Sequence, residues 1–184
     1  MDRIAASRLF LAAERLAGEQ LQWWLLIFHQ GKAAMIIKKS QVPVERVERE
    51  SFGVADTLRL SDAGGLSQYG AYVQTLHPGA RSSNNHWHEN EDEFLYVLSG
   101  EVTVTEQGHA EVLGPGDAAC WPAGVARAHH VSNQSSEPSS YLIVGTRVER
   151  DVCHYPDTGR TLHRVGKDWQ LLDADGRVFK SGSF

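Results

Sequence analysis

Cysteine is scarce, with two residues in a chain of 184. That count excludes a secreted disulfide scaffold, which needs several bridges to replace a core. Long hydrophobic runs are also missing. The longest, Trp23 to Phe28, is far short of the roughly 18–20 apolar residues that span a bilayer. The early apolar stretch is broken by Glu14 and Arg15 and lacks a clear small-residue cleavage site, so it does not read as a signal peptide. Nor is there an excess of positive charge. Eighteen Lys+Arg against 23 Asp+Glu leave a net charge of -5, and a chain without a basic stripe is poorly suited to nucleic acid. The expectation is a cytoplasmic protein with neither a nucleic-acid nor a membrane partner.

The composition that remains is that of a folded globule. Hydrophobic residues make up 41% and charged residues 22%, which rules out a disordered chain. The length is sufficient to bury a core without staples.

Residues 1–34 differ from the rest. Ile4, Leu9, Ala12, Ala13 and Leu16 recur at helical spacing, and Gly18 can end such a helix. Met35 then opens a segment of ordinary globular character. Two readings stand side by side: a helical arm packing on the domain or on a second subunit, or an upstream extension with the functional protein starting at Met35.

Residues 35–147 read as one β domain with its core at 66–147. Short apolar or alternating runs occur at Tyr69–Leu76, Glu93–Leu98, Val102–Thr105, Ala110–Leu113, Ala118–Trp121, Ala128–Ser132 and Tyr141–Val144. Turn signals separate them, among them His77-Pro78-Gly79, Ser99-Gly100, Gly114-Pro115-Gly116-Asp117 and Pro122-Ala123-Gly124. Closely punctuated short strands indicate a sandwich or closed barrel. They leave no room for the crossover helices of a parallel sheet. In the tail, 148–184, the segments Trp169–Leu172 and Arg177–Phe179 flank Asp173–Gly176 and read as a hairpin or flap packed on the barrel.

The most informative stretch runs from Asn84 to Phe94. On a strand, residues two apart share a face, so His86 and His88 present both imidazoles to one side and Trp87 to the other. Two neutral imidazoles on one face begin a transition-metal site. Glu93 follows an acidic turn, Glu89 to Asp92, which reads as solvated, and its carboxylate can fold back to the same side. The pair His129-His130 offers a third nitrogen. Strand alternation admits only one of the two, unless a bulge places both on one side.

These residues resemble the two motifs of the cupins. The first resembles His86-x-His88, four residues, Glu93, six residues, Gly100. The second resembles Gly116, five residues, Pro122-x-Gly124, a histidine, three residues and Asn133. Counting back from Asn133 selects His129. There are two departures: Gly79 lies one residue further from His86 than the pattern expects, and four residues rather than two separate Gly124 from the histidine. The resemblance implies an all-β cupin double-stranded β-helix, a jelly-roll barrel, here with a short N-terminal helical arm. It implies His86, His88, Glu93 and His129 as ligands of one divalent transition metal, and Gly100 and Gly116 as turn glycines. The ending Gly145-Thr146-Arg147 with His154-Tyr155-Pro156-Asp157 looks like the short single-barrel bacterial cupins, some of them sugar-phosphate-isomerase-like.

Nitrogen and oxygen ligands without thiolate suit Fe, Mn, Ni or Zn. Such a site leaves coordination positions for water or substrate. Arg81 and Arg127 lie near the ligands in sequence and are candidate substrate-binding residues for an anion. Tyr69, Tyr72, His130 and Tyr141 are candidates for an acid or base. Two functions follow. One is a metal-dependent enzyme acting on a small polar or anionic metabolite by isomerase, oxygenase or lyase chemistry. The other is a non-catalytic, metal-dependent small-molecule binding protein. A homodimer is expected, because exposed strand edges and the Trp23–Phe28 segment both need cover.

Overall fold

The computed structural model describes residues 36–183; the expected helical arm, residues 1–34, lies outside them. A 3₁₀ turn at Lys39–Gln41 leads into strands β1 (Glu45–Arg49) and β2 (Gly53–Arg59), then a one-turn helix α1 (Leu60–Ala63). The strands continue as β3 (Tyr69–Leu76), β4 (Trp87–His88), β5 (Glu93–Ser99), β6 (Val102–Glu106) and β7 (His109–Leu113). They are followed by β8 (Ala118–Trp121), β9 (His129–Ser132), β10 (Ser139–Thr146), β11 (Arg150–Tyr155), β12 (Arg160–Val165), β13 (Asp168–Leu172) and β14 (Val178–Ser183). All pairings are antiparallel.

One sheet has the order β1-β2-β3-β10-β5-β8, a second β14-β13-β12-β11-β4, and a third β7-β6-β9. Two isolated bridges, Arg81 to Ser132 and His86 to His129, tie the segment before β4 to the edge of β9. The second and third sheets are thereby joined through the segment that carries the histidines. Every run read as a strand in the sequence is a strand here, all-β as the patterning required, and the tail hairpin is β13 and β14.

The core follows from alternation. Leu95 and Val97 of β5 point inward, whereas Phe94, Tyr96 and Leu98 are exposed. Tyr141 and Ile143 of β10, Val102 and Val104 of β6, Val131 of β9, Leu76 and Trp121 complete one cluster drawn from both walls. Each such side chain contributes roughly 1.5–3 kcal/mol on burial. Asn133 is buried for a different reason. Its amide donates to the Leu76 and Glu137 carbonyls, both at 2.8 Å, and its oxygen accepts the Ser135 N–H, so it holds the loop between β9 and β10.

β1, β2, β11 and β12 were not legible as strands, and of the His86–His88 stretch read as a strand only Trp87–His88 forms one. β1, Glu45-Arg46-Val47-Glu48-Arg49, is exposed throughout. It is held by its ladder to β2 and by the cross-strand pairs Arg46–Asp56 and Arg59–Glu45 rather than by a hydrophobic face. α1 was also unanticipated, and Arg147 anchors it by pairing with Asp62.

Gly100 shows why one turn demands glycine. Its φ is +70°, and a Cβ there would lie 2.9 Å from the Ser139 Cα and 3.0 Å from the Pro138 carbonyl oxygen. Gly116 has φ +97° but open space around it. Gly100→Ala is therefore expected to destabilise the protein by more than ~1 kcal/mol, because strain and backbone overlap add. Gly116→Ala meets only the strain and is expected to cost less. Urea unfolding of the two variants measures the difference.

Candidate metal centre

His86 directly precedes β4, His88 ends it, and Glu93 and His129 open β5 and β9. The placement of His86 and His129 is a backbone matter. They form a reciprocal bridge, His86 N–H to the His129 carbonyl at 3.0 Å and His129 N–H to the His86 carbonyl at 2.9 Å. Directly opposed residues share a face, and the two rings lie 4.8 Å apart. His88, two residues on, keeps the same face, 5.3 Å from His86 and nearly perpendicular to it. Trp87 points the other way and stacks on His154 at 4.1 Å. The turn after β8 docks on this segment: Gly124 N–H donates to the His88 carbonyl at 3.0 Å, and Ala123 N–H to the Asp92 carboxylate at 2.7 Å.

Glu93 is the convergence point. Its Oε2 lies 3.1 Å from His129 Nε2 and 3.6 Å from His86 Nε2. His86, Glu93 and His129 thus form one group of donor atoms able to hold a metal ion. Each histidine has its other ring nitrogen engaged. His86 Nδ1 lies 2.9 Å from the Asn84 carbonyl and 3.2 Å from Ser83 Oγ. His129 Nδ1 lies 3.4 Å from the Arg127 carbonyl, and His88 Nδ1 lies 2.6 Å from Asp151 Oδ2. Trp121 stacks on His129 at 3.7 Å and holds the ring plane.

His130 does not join this cluster. β9 pairs with β6 in unbroken register, Glu106 to His129 and Thr105 to His130. With no bulge, the two imidazoles take opposite faces. Arg127 is exposed and pairs with Glu106 at 3.4 Å. Arg81 lies over the Phe52 ring at 4.7 Å. Neither arginine lines the cavity beside the cluster. That cavity, of about 100 Å³, is walled by Tyr72, Gln74, Ser82, Tyr141, Ile143 and Trp121 together with His86, Glu93 and His129. The acidic turn, read as solvated, is tied down at Glu91, which is half-buried and meets Arg164 at 2.5 Å.

At Glu93 and His86 the electrostatics favour a cation. Burial alone would raise the Glu93 carboxyl, but the His129 hydrogen bond and the nearby imidazoles hold it at about 2. Burial lowers His86 to about 4, so its imidazole is neutral and has a lone pair to give. At His88 burial also acts downward, but the hydrogen bonds to Asp151 and Cys153 prevail and raise it to about 11. Desolvation raises Tyr72 to about 12 and Tyr141 well above its ordinary value. Both phenols are therefore neutral hydrogen-bond donors. Tyr141 donates to Gln74 Oε1 at 2.5 Å.

The family model described as "Cupin domain" matches residues 72–145. A sugar phosphate isomerase of the cupin superfamily from Silicibacter pomeroyi is 34% identical over 68% of this chain and 80% of that one, with a TM-score of 0.66. A putative sugar phosphate isomerase from Acidithiobacillus ferrooxidans is 32% identical over 79% of this chain and 96% of that one, with a TM-score of 0.69. The chain belongs to the cupin superfamily. The fold alone is shared with a predicted oxalate decarboxylase from Thermotoga maritima, at 23% identity, 62% and 100% coverage and a TM-score of 0.53. No curated protein matches the chain. In this cupin no helix among the described residues is long and apolar enough to cross a membrane.

Three residues beside the cluster were not among the candidate site residues read from the sequence: Asp151, Cys153 and Tyr155. They alternate along the inward face of β11, beyond the matched segment. Cys153 groups with His86 and His88, and the Tyr155 ring lies 6.2 Å from that of His86. The only sequence signal was the period of two in Asp-x-Cys-x-Tyr, which has meaning only once β11 is known to pair with β4.

The displaced ionisation of His86 predicts a pH dependence. Its pKa falls from about 6.5 to about 4 on folding, so the unfolded chain binds more protons in that window and stability falls as pH drops through it. The melting temperature of the metal-free protein is expected to decline from pH 6.5 to pH 4, and His86→Gln to flatten that segment. Glu93, lowered from 4.5 to about 2, adds its own loss only below pH 4.5. Scanning calorimetry across the range tests both; an unchanged slope in His86→Gln would refute the assignment.

Proposed function

We propose that this cupin is a mononuclear metal-dependent enzyme that isomerises a small polar metabolite. In this reading one divalent transition metal is held by His86, His88, Glu93 and His129. The observation that carries it is the ring-nitrogen arrangement. All three Nδ1 atoms have protein partners, and the Nε2 atoms of His86 and His129 converge on a half-buried carboxylate. The two cupins at 34% and 32% identity, one a sugar phosphate isomerase and the other a putative one, support the isomerase branch over oxygenase or lyase chemistry.

When bound, the metal supplies Lewis-acid polarisation of a substrate oxygen. The chain supplies the rest. Tyr72 is half-buried, lines the cavity, and its hydroxyl has no protein partner among the described residues, so it is free to donate to a substrate oxygen. Tyr141 is committed to Gln74 and sets the wall. Among the described residues no lysine or arginine lines the cavity. The part of the substrate inside it is therefore small and uncharged apart from any oxygen held by the metal. A cavity of about 100 Å³ is smaller than the 150 Å³ that accommodates benzene, so it receives a hydroxycarbonyl end rather than a whole sugar phosphate.

Reconstitution with Fe, Mn, Ni or Zn, followed by elemental analysis, is expected to give about one metal per chain. The His86→Ala/His88→Ala double variant is expected to lose it. NMR of the metallated protein with small hydroxyaldehydes and hydroxyketones is expected to show interconversion without oxygen uptake. Tyr72→Phe should slow turnover about 10²-fold or more if its hydroxyl moves a proton. Ligand that binds and is never converted would establish the non-catalytic binding protein instead.

The same reading includes a cytoplasmic homodimer. Phe94, Tyr96 and Leu98 are exposed on the outer face of the first sheet. Register places Leu142 beside Tyr96, Val73 beside Leu142, and Val144 beside Phe94, on that face. A contiguous apolar sheet face calls for a partner. Light scattering is expected to give about twice 20.4 kDa, and Tyr96→Glu/Leu98→Glu to give the monomer. A monomeric parent would refute the assembly.

A further inference from the structure

We infer that Asp151 is the positioning residue of His88, and that the C-terminal sheet is thereby a working part of the metal site. The inference rests on the metal-site reading above and concerns a residue outside the matched cupin segment, 72–145.

β11 pairs with β4 through Cys153 to His88 and His154 to Trp87. Asp151, two residues from Cys153, therefore lies on the face that His88 occupies. Its side chain is 4% exposed. Both carboxylate oxygens are used: Oδ2 lies 2.6 Å from His88 Nδ1, and Oδ1 accepts the Asn90 backbone N–H at 3.0 Å. Held at both ends, the carboxylate cannot rotate away. Among the three histidines, His88 alone has an ionised acceptor on Nδ1; His86 and His129 face backbone carbonyls there.

A neutral imidazole that donates Nδ1–H has its lone pair on Nε2, and the acceptor sets both the tautomer and the ring plane. A charged acceptor also makes the ligand nitrogen more electron-rich. His88, Glu91 and Asp151 on their own form a donor group of metal-binding type. Glu91 is already engaged, however, with Arg164 at 2.5 Å and with the Val148 N–H at 3.1 Å. That leaves Asp151 facing His88 as an orienting partner rather than as a ligand of a second ion.

The test is zinc affinity of the full chain, by competition with a chromophoric chelator, for the parent, Asp151→Asn, His88→Ala and the double variant. Asp151→Asn is expected to weaken zinc binding about 10–100-fold. In the His88→Ala background the same change is expected to have no further effect, because the carboxylate acts through that ring. Parental affinity in Asp151→Asn, or an equal loss with and without His88, would overturn the positioning role and leave the metal site standing. A parent that binds no zinc would overturn the site and the inference together. Should Asp151→Asn not fold, histidine-selective ¹⁵N spectra of the zinc-loaded parent decide. A slowly exchanging Nδ1–H with a zinc-shifted Nε2 on His88 is expected, and a zinc-shifted Nδ1 would overturn the inference.

Discussion

The reciprocal backbone bridge between His86 and His129 is the contact on which the rest of the site depends. Its two hydrogen bonds, 3.0 and 2.9 Å, join the segment before β4 to the edge of β9 and so link two sheets. They also oppose the two residues directly, and directly opposed residues must share a face. A backbone closure thus sets the geometry of the imidazole pair before any side-chain interaction does. His88 inherits its direction from the same strand by alternation, and Trp121 and Ser83 then only trim the ring planes.

Around that closure the barrel withdraws Glu93 from water without neutralising it. An isolated carboxylate in a core is costly. Here the nearby imidazoles offset the desolvation and the carboxyl stays ionised. The outcome is one fixed negative charge beside two ring nitrogens, with neutral phenols and apolar side chains beyond. Together with His86 and His129, this carboxylate forms a donor group able to hold a metal ion. The arginines nearest in sequence are spent elsewhere, Arg127 on Glu106 and Arg81 on the face of Phe52.

The barrel common to the superfamily supplies the candidate ligands, but not all of their surroundings. β11 lays Asp151, Cys153 and Tyr155 against His88 and His86. The strands that follow, β12 to β14, extend the same sheet and hold β11 in register. Glu91 and Arg164 bind this extension to the acidic turn before β5. The tail is therefore structural support for the site as well as an appendage to the fold.

Strands with a buried face were legible in the sequence because burial imposes alternation on the residues themselves. β3, β5, β6, β9 and β10 could be read that way, whereas β7, exposed along most of its length, was marked by the turn signals around it, as was the positive-φ turn at Gly100. The candidate ligands were legible as well, since His-x-His on a strand must face one way and the motif spacing carried Glu93 and His129. β1 and β11 were not, because their residues answer to cross-strand partners, Asp56 for one and His88 for the other, and not to a hydrophobic face. Which of His129 and His130 turns inward depended on whether β9 carried a bulge, a matter of register with β6. That Arg81 and Arg127 miss the cavity, and that Asp151 reaches His88 across 63 residues, likewise depended on pairing. Local sequence determines which way a side chain points relative to its own strand. Only the tertiary structure decides which strand lies beside it, because that choice is made by closing long loops between segments distant in the chain.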